Sequence, residues 1–151
     1  MNPLSTERLS QLITAKHEVL TQLRALADRQ FEALASDDVD RLLTILAQKQ
    51  KLLNQLQGLE RLIDPFRQQD PESRAWPSPQ ARRECQLLAD RASVLLTEIV
   101  ALEQAASAKA VETRNHTAMQ LAEVNSALAA REAYVSPPAM AHGGLDLLSE
   151  T

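Results

Sequence analysis

Residues 32–60 read EALASDDVDRLLTILAQKQKLLNQLQGLE, and this stretch decides the fold. On both sides of Ser36-Asp37-Asp38, apolar residues recur at the three- and four-residue spacing of a helix face. Ser and Asp side chains accept hydrogen bonds from the first N–H groups of a helix. The negative charge of Asp40 is favourable near the positive, N-terminal end of the helix dipole. We expect a tight turn and then a helix from about residue 38 to residue 63. A single bent helix is the alternative, because no Gly or Pro enforces the break.

Both predicted helices carry wide apolar faces. In the first, over residues 5–35, three neighbouring heptad rows are apolar: Leu12, Val19, Leu26 and Ala33; Ile13, Leu20, Ala27 and Leu34; Leu9 and Leu23. In the second, the rows are Val39, Leu46 and Leu53; Leu42, Leu56 and Ile63; Ile45, Leu52 and Leu59. Three rows exceed the two-row seam of a coiled coil, so each helix should have two neighbours. Lys16 and Lys49 interrupt the rows. Either their aliphatic stems pack in the core while their ammonium groups reach water, or these lysines fix the register of the helices.

The segment after the second helix is predicted to be a loop followed by a long helix. Asp64-Pro65 should end the second helix, and residues 65–79 contain four prolines and Trp76. Trp76 either packs over the bundle end or anchors a partner. Ser78-Pro79 is typical of a helix start, and the next helix is predicted over residues 79–133, with Cys85 in a core row.

The second half of this last helix differs from the first half. Residues 103–120 are mostly small or polar, and then Leu121, Val124 and Leu128 form a thin apolar stripe. At about 1.5 Å per residue, a helix antiparallel to the second one reaches the far end of the bundle near residue 105. Beyond that point it must overhang or fold back. We therefore expect the distal segment to be less buried and to offer a weakly apolar face to another chain.

The predicted fold class is all-α: an elongated antiparallel up-and-down bundle or coiled coil of three to four helices, with a long C-terminal helix. The bundle domain is expected over residues 1–134 and a flexible C-terminal tail over residues 135–151. Within that tail Leu145, Leu147 and Leu148 form an apolar cluster that either docks on its own bundle, binds a partner or is incidental.

Composition excludes several function classes. The net charge is -4, whereas a nucleic-acid-binding surface needs an excess of basic residues. No apolar run approaches the roughly 20 residues of a membrane span. A single cysteine and a polar N-terminus favour a cytoplasmic protein. Glu112 and His116 lie four residues apart, without the repeated Glu-x-x-His of a di-iron bundle. We expect no cofactor, no metal and no enzyme activity, although residue types alone do not exclude a Ser-His-Asp site.

Residues 32–60 resemble the FlgN family of flagellar export chaperones. The shared features are acidic-Ala-Leu before a short turn, an Asp at the turn, spaced leucines, a Lys, a Leu-Leu pair and a Leu-Glu. The proline-bearing loop, the long last helix with Asn115, and Tyr134 before the tail also suit the family. The chain departs from the family in lacking a second Asn three or four positions after Asn115.

This resemblance implies a cytoplasmic bacterial chaperone for the hook–filament junction proteins FlgK and FlgL, which it delivers to an export gate component. Its C-terminal part holds the client, so the implied client-binding residues are Asn115, Leu121, Val124 and Leu128, and Tyr134 is the implied gate contact. The rival interpretation is a structural or scaffolding coiled coil that self-assembles through its long helix. A homo-oligomer is compatible with both.

Overall fold

A computed structural model describes residues 4–135, which form three long helices and one short 3₁₀ helix. These are α1 (Thr6–Ala35), α2 (Val39–Arg67), the 3₁₀ helix Pro71–Ser73, and α3 (Pro79–Val135). No strand occurs in this range, so the prediction of an all-α bundle with a long C-terminal helix is confirmed. Contacts separate the chain into a first unit, Met1–Lys109, and a second unit, Ala110–Thr151. The tail was predicted over residues 135–151; Val135 is the last residue of α3, and residues 136–151, with Leu145, Leu147 and Leu148, lie outside the described residues.

The turn between α1 and α2 forms as the sequence predicts. Asp38 caps α2, because its carboxylate accepts a hydrogen bond of 3.1 Å from the backbone N–H of Arg41. Asp37 has a φ of 55°, a left-handed conformation that Asp tolerates better than most residues. The Asp38 N–H then donates to the Ala33 carbonyl at 3.1 Å. The single bent helix is excluded, since the chain reverses here without a glycine.

The predicted stop at Asp64-Pro65 is wrong, because α2 continues to Arg67. Proline lacks an N–H and disfavours a helical residue before it. Phe66 offsets this cost, since its side chain is only 2% exposed and burial of a Phe contributes about 1.5–3 kcal/mol. Arg74 also donates a hydrogen bond of 2.6 Å to the Phe66 carbonyl, which satisfies a backbone acceptor at the helix end.

The core of the first unit consists of two apolar clusters, each built from all three helices. The middle cluster comprises Val19, Leu20, Leu23, Leu26 and Ala33 of α1, Ile45 and Leu52 of α2, and Ala92 and Ile99 of α3. The end cluster comprises Leu9, Leu12 and Ile13 of α1, Ile63 and Phe66 of α2, and Cys85 of α3. The starts of α1 and α3 therefore meet the end of α2, and the three helices run up, down and up.

Two sequence predictions concern the end cluster. Trp76 is half-buried and packs against this cluster, as expected for a side chain over the bundle end. Cys85 is buried within it, and burial raises the pKa of its thiol. The structure therefore confirms Cys85 as a small core residue.

Four ion pairs join the helices of the first unit, and one of them links Arg41 of α2 to Glu32 of α1 at 3.5 Å. Lys16 of α1 pairs with Glu60 of α2 at 2.7 Å, and Arg24 of α1 pairs with Glu98 of α3 at 3.1 Å. Lys49 of α2 contacts both Glu103 of α3 and the buried Gln30 of α1. The lysines that interrupt the apolar rows thus bind specific partners across the bundle, which favours their role in helix register.

The wide apolar face predicted for α2 is only partly correct. The row of Ile45, Leu52 and Leu59 is buried or half-buried, whereas Val39, Leu46 and Leu53 are exposed. In this three-helix unit, the contacts of α2 with α1 and α3 use only part of the α2 circumference. The exposed row of α2 is a correction to the sequence prediction, and no described element covers it.

Candidate partner-binding surface on the distal helix

The distal part of α3, residues 110–135, is helical because its sequence favours no other conformation. It is rich in Ala, and neither Gly nor Pro occurs between Gln80 and Val135. From residue 110 to residue 134 every side chain is exposed except that of Thr113, which is half-buried. This confirms the expectation that the distal segment is less buried than the bundle.

The predicted apolar stripe forms a single face of this helix. Leu121, Val124 and Leu128 are 60%, 54% and 56% exposed. Their spacing of three and four residues places them within an arc of about 60°, at roughly 100° per residue. Arg114 and Arg131 border this face, and Glu123 lies on the other side of the helix. Such a surface can bury apolar area against an amphipathic helix.

Asn115 does not share this face. The helix repeat places it roughly 145° from the centre of the stripe, on a second exposed row with Val111 and Met119. The four predicted client-binding residues therefore divide into an apolar group and a separate polar residue. Sequence reasoning missed Val111 and Met119, although their four-residue spacing around Asn115 is the signal that identifies the row.

Tyr134 lies one residue before the end of α3 and its side chain is 88% exposed. A tyrosine packed back onto the described helices would bury its ring, and the exposure of Tyr134 rules out such packing. The helix repeat turns Tyr134 roughly 110° away from the stripe of Leu121, Val124 and Leu128. The ring can therefore contact a partner separately from that stripe.

Among residues 4–135, no group of three or more His, Cys, Asp or Glu side chains is placed to hold a metal ion. Glu112 and His116 are both exposed, as expected for a polar pair. None of the described helices is long and apolar enough to cross a membrane.

Comparison with known proteins gives a family match within the first two helices. Residues 1–65 match a family described as "FlgN protein", and this region holds α1, the turn and most of α2. The match confirms the FlgN resemblance over these residues and leaves the distal helix outside it. No curated protein and no solved structure matches the chain.

The FlgN family consists of flagellar export chaperones rather than enzymes. This role belongs to the matched family, and the match covers residues 1–65 of this chain. FlgN proteins bind flagellar export substrates in general.

Proposed function

We propose that this chain is a cytoplasmic export chaperone that binds hook–filament junction proteins of the FlgK or FlgL type and delivers them to the flagellar type III export gate. The observation that carries this proposal is the match of residues 1–65 to the FlgN family. The bundle of the first unit serves as a stable support, and the distal part of α3 binds the partners.

The client site in this proposal is the apolar stripe of Leu121, Val124 and Leu128. An amphipathic helix of the client places its apolar face on the stripe, so that both faces leave water. Burial of roughly 300 Å² of apolar surface contributes on the order of 7 kcal/mol, less the cost of ordering the client. Asn115 points to another face, where its amide both donates and accepts hydrogen bonds, so it would hold a second part of the client.

Tyr134 is the proposed gate contact. Its exposed ring offers a large contact area with few rotatable bonds, as is common for interface anchors. Because it faces away from the stripe, a bound client leaves the ring accessible. The protein can then hold its client and contact the gate at the same time.

A truncation tests the location of the client site. We expect a chain that lacks residues 115–151 to remain a folded helical bundle, because every cluster residue of the core precedes residue 107. The truncated chain should lose binding to C-terminal peptides of FlgK- or FlgL-like proteins in isothermal titration calorimetry. Undiminished peptide binding by the truncated chain would refute a client site in this segment.

Matched substitutions refine the test within the full chain. The first variant changes Leu121, Val124 and Leu128 to Ser, and the control changes Leu87, Val94 and Val100 to Ser. The control residues are 49%, 58% and 49% exposed and lie in the first half of α3. Only the first variant should lose the client peptide. Equal losses in both variants would mean that the stripe has no specific role.

A further inference from the structure

A groove between α1 and α2 is lined by two basic side chains and, within the described residues, by no acidic one. Arg29 of α1 and Lys51 of α2 are the basic side chains, and both are exposed. The amides of Gln22, Gln48 and Gln55 line the same space. Its volume of about 490 Å³ lies in the size range of ligand-binding pockets. This surface is called the α1–α2 groove.

Neither basic side chain of the α1–α2 groove has a carboxylate partner in the described part of the chain. Two carboxylates lie close to Arg29 in α1, and both have other partners. Asp28 pairs with Arg24 at 2.7 Å. Glu32 pairs with Arg41 at 3.5 Å. The positive charge of Arg29 is therefore not neutralised by its neighbours on α1.

The charge of Lys51 is not neutralised on α2 either. Residues 41–59 contain no Asp or Glu, so the nearest acidic residue along this helix is Glu60. Glu60 lies roughly 13 Å further along the axis and is already bound by Lys16. Two cations that line one groove repel each other, and a bound anion would remove this repulsion.

Acidic residues occur only beyond the two ends of the α1–α2 groove. At one end, the acidic turn at residues 37–38 lies beyond the pair of Glu32 with Arg41. At the other end, Glu18 lies roughly 16 Å from Arg29 along the axis of α1. Salt screens exposed charges at such distances. An acidic occupant must nevertheless be short, because a longer one would meet like charge at both ends.

We propose that the α1–α2 groove binds a short, extended acidic segment of a partner protein. The guanidinium of Arg29 offers a planar fork that matches a carboxylate, and the ammonium of Lys51 offers a second positive charge from the facing helix. The glutamine amides both donate and accept, so they pair with the N–H and C=O groups of the bound backbone. This site goes beyond the proposed function, whose client and gate contacts lie on α3.

The lining favours a peptide over a nucleic acid. A phosphate backbone only accepts hydrogen bonds, so it would leave the acceptor oxygens of the glutamines without partners. Nucleic-acid surfaces also carry many basic residues, whereas this groove has two and the chain has a net charge of -4. The floor of the groove is apolar and consists of Ala25, Leu26 and Leu52. It suits one apolar side chain between two acidic residues.

Nuclear magnetic resonance on the full, isotope-labelled chain tests the site with a defined probe. The probe is the peptide acetyl-Ser-Glu-Leu-Glu-Ser-amide, and the control peptide carries Gln in place of both Glu residues. The acidic peptide should shift the side-chain amide signals of Gln22, Gln48 and Gln55, and its binding should weaken as salt is added. Unshifted signals, or equal shifts with the control peptide, overturn the proposal.

Matched charge removal tests the two basic residues. Arg29→Gln with Lys51→Gln should weaken binding of the acidic peptide by about tenfold or more. The control, Arg8→Gln with Arg61→Gln, removes the same charge from exposed side chains of α1 and α2 that do not line the groove. All four side chains are exposed, so both variants should keep the melting temperature of the unchanged chain. Equal losses of binding in the two variants would show a general effect of net charge and overturn the site.

Charge reversal gives a test that damage to the fold cannot imitate. Arg29→Glu with Lys51→Glu should reject the acidic peptide and bind acetyl-Ser-Lys-Leu-Lys-Ser-amide, which the unchanged chain should not bind. A reversed variant that fails to bind the basic peptide refutes recognition by charge in this groove. A single-stranded oligonucleotide that shifts the same glutamine signals more strongly than the acidic peptide overturns the choice of a protein partner.

Discussion

The helix α1 and the distal part of α3 are of similar length, but they differ in apolar pattern and in burial. In α1 the apolar residues occupy three neighbouring rows, and Leu20 at their centre is 0% exposed. In residues 110–135 the leucines form one thin row, and all of them are exposed. The number of adjacent apolar rows therefore separates a helix that builds a core from a helix that keeps its apolar face in water.

The two regions also differ in their polar contacts. The side chains of α1 reach both neighbouring helices through Lys16 with Glu60 and Arg24 with Glu98. The stripe of Leu121, Val124 and Leu128 lies between the exposed Arg114 and Arg131. Substitutions in such an exposed surface should change the stability of the isolated protein little. Their effect should appear in the binding free energy, when a partner covers the surface.

The largest effect is expected for truncation of the most buried side chain. Leu20→Ala should lower the free energy of unfolding by about 2–5 kcal/mol, because it leaves a cavity in the middle cluster. Leu121→Ala and Leu46→Ala should each lower it by less than about 1 kcal/mol, since both side chains already contact water. Urea denaturation measures all three. If Leu121→Ala proved as destabilising as Leu20→Ala, the contrast between the two regions would be wrong.

Most of the fold was predictable from the sequence, because helix formation here depends on local signals. The cap at Asp38, the rows of α1 and the start of α3 all follow from residue types within a few positions of one another. The end of α2 was not predictable, because it depends on the packing of Phe66 against the other helices and on a hydrogen bond from Arg74, eight residues further along the chain. The exposure of Val39, Leu46 and Leu53 was not predictable either, since the row pattern does not show which part of the α2 circumference the two neighbouring helices cover.

A smaller effect is expected from the ion pair between α1 and α2. Burial alone would raise the pKa of Glu60, but hydrogen bonds from Lys16 and Arg67 outweigh it and hold the pKa below its ordinary value of 4.5. The charged form is therefore favoured in the folded state. Glu60→Gln should lower the free energy of unfolding at neutral pH by about 1 kcal/mol or less, because Glu60 and its partners are partly exposed.

The effect of Glu60→Gln on stability should depend on pH. A carboxyl group with a lowered pKa in the folded state stabilises the protein above its unfolded pKa, and the stabilisation is lost as the pH falls through the folded pKa. The difference between the unchanged chain and Glu60→Gln should therefore shrink as the pH falls below about 4.5. The control is Glu123→Gln on the distal helix, which should show no such difference. A Glu60→Gln effect that persists at low pH would mean that packing, not charge, connects the two helices.

The candidate site was predictable only in part. The stripe of Leu121, Val124 and Leu128 follows from residue spacing, and the exposure of all three is confirmed. The grouping of Asn115 with them came from the family resemblance, and the helix repeat separates the two by more than a quarter turn. The identity of the partner that covers the stripe does not follow from the residues of the stripe. Only the FlgN resemblance points to a class of partner.

The smallest effect on the isolated protein is expected at Tyr134. Its ring is exposed near the end of α3, so Tyr134→Ala removes almost no buried area and should leave the melting temperature nearly unchanged. Client affinity should also stay the same, because the ring faces away from the stripe. Binding of the chaperone–client complex to the cytoplasmic domain of the export gate protein should weaken, since the proposed anchor is lost. Calorimetry on the client pair and on the gate pair separates these effects, with Tyr134→Phe as the control that keeps the ring. Unchanged gate binding by Tyr134→Ala would show that this residue has no part in delivery, and a lowered melting temperature would show that the ring is structural.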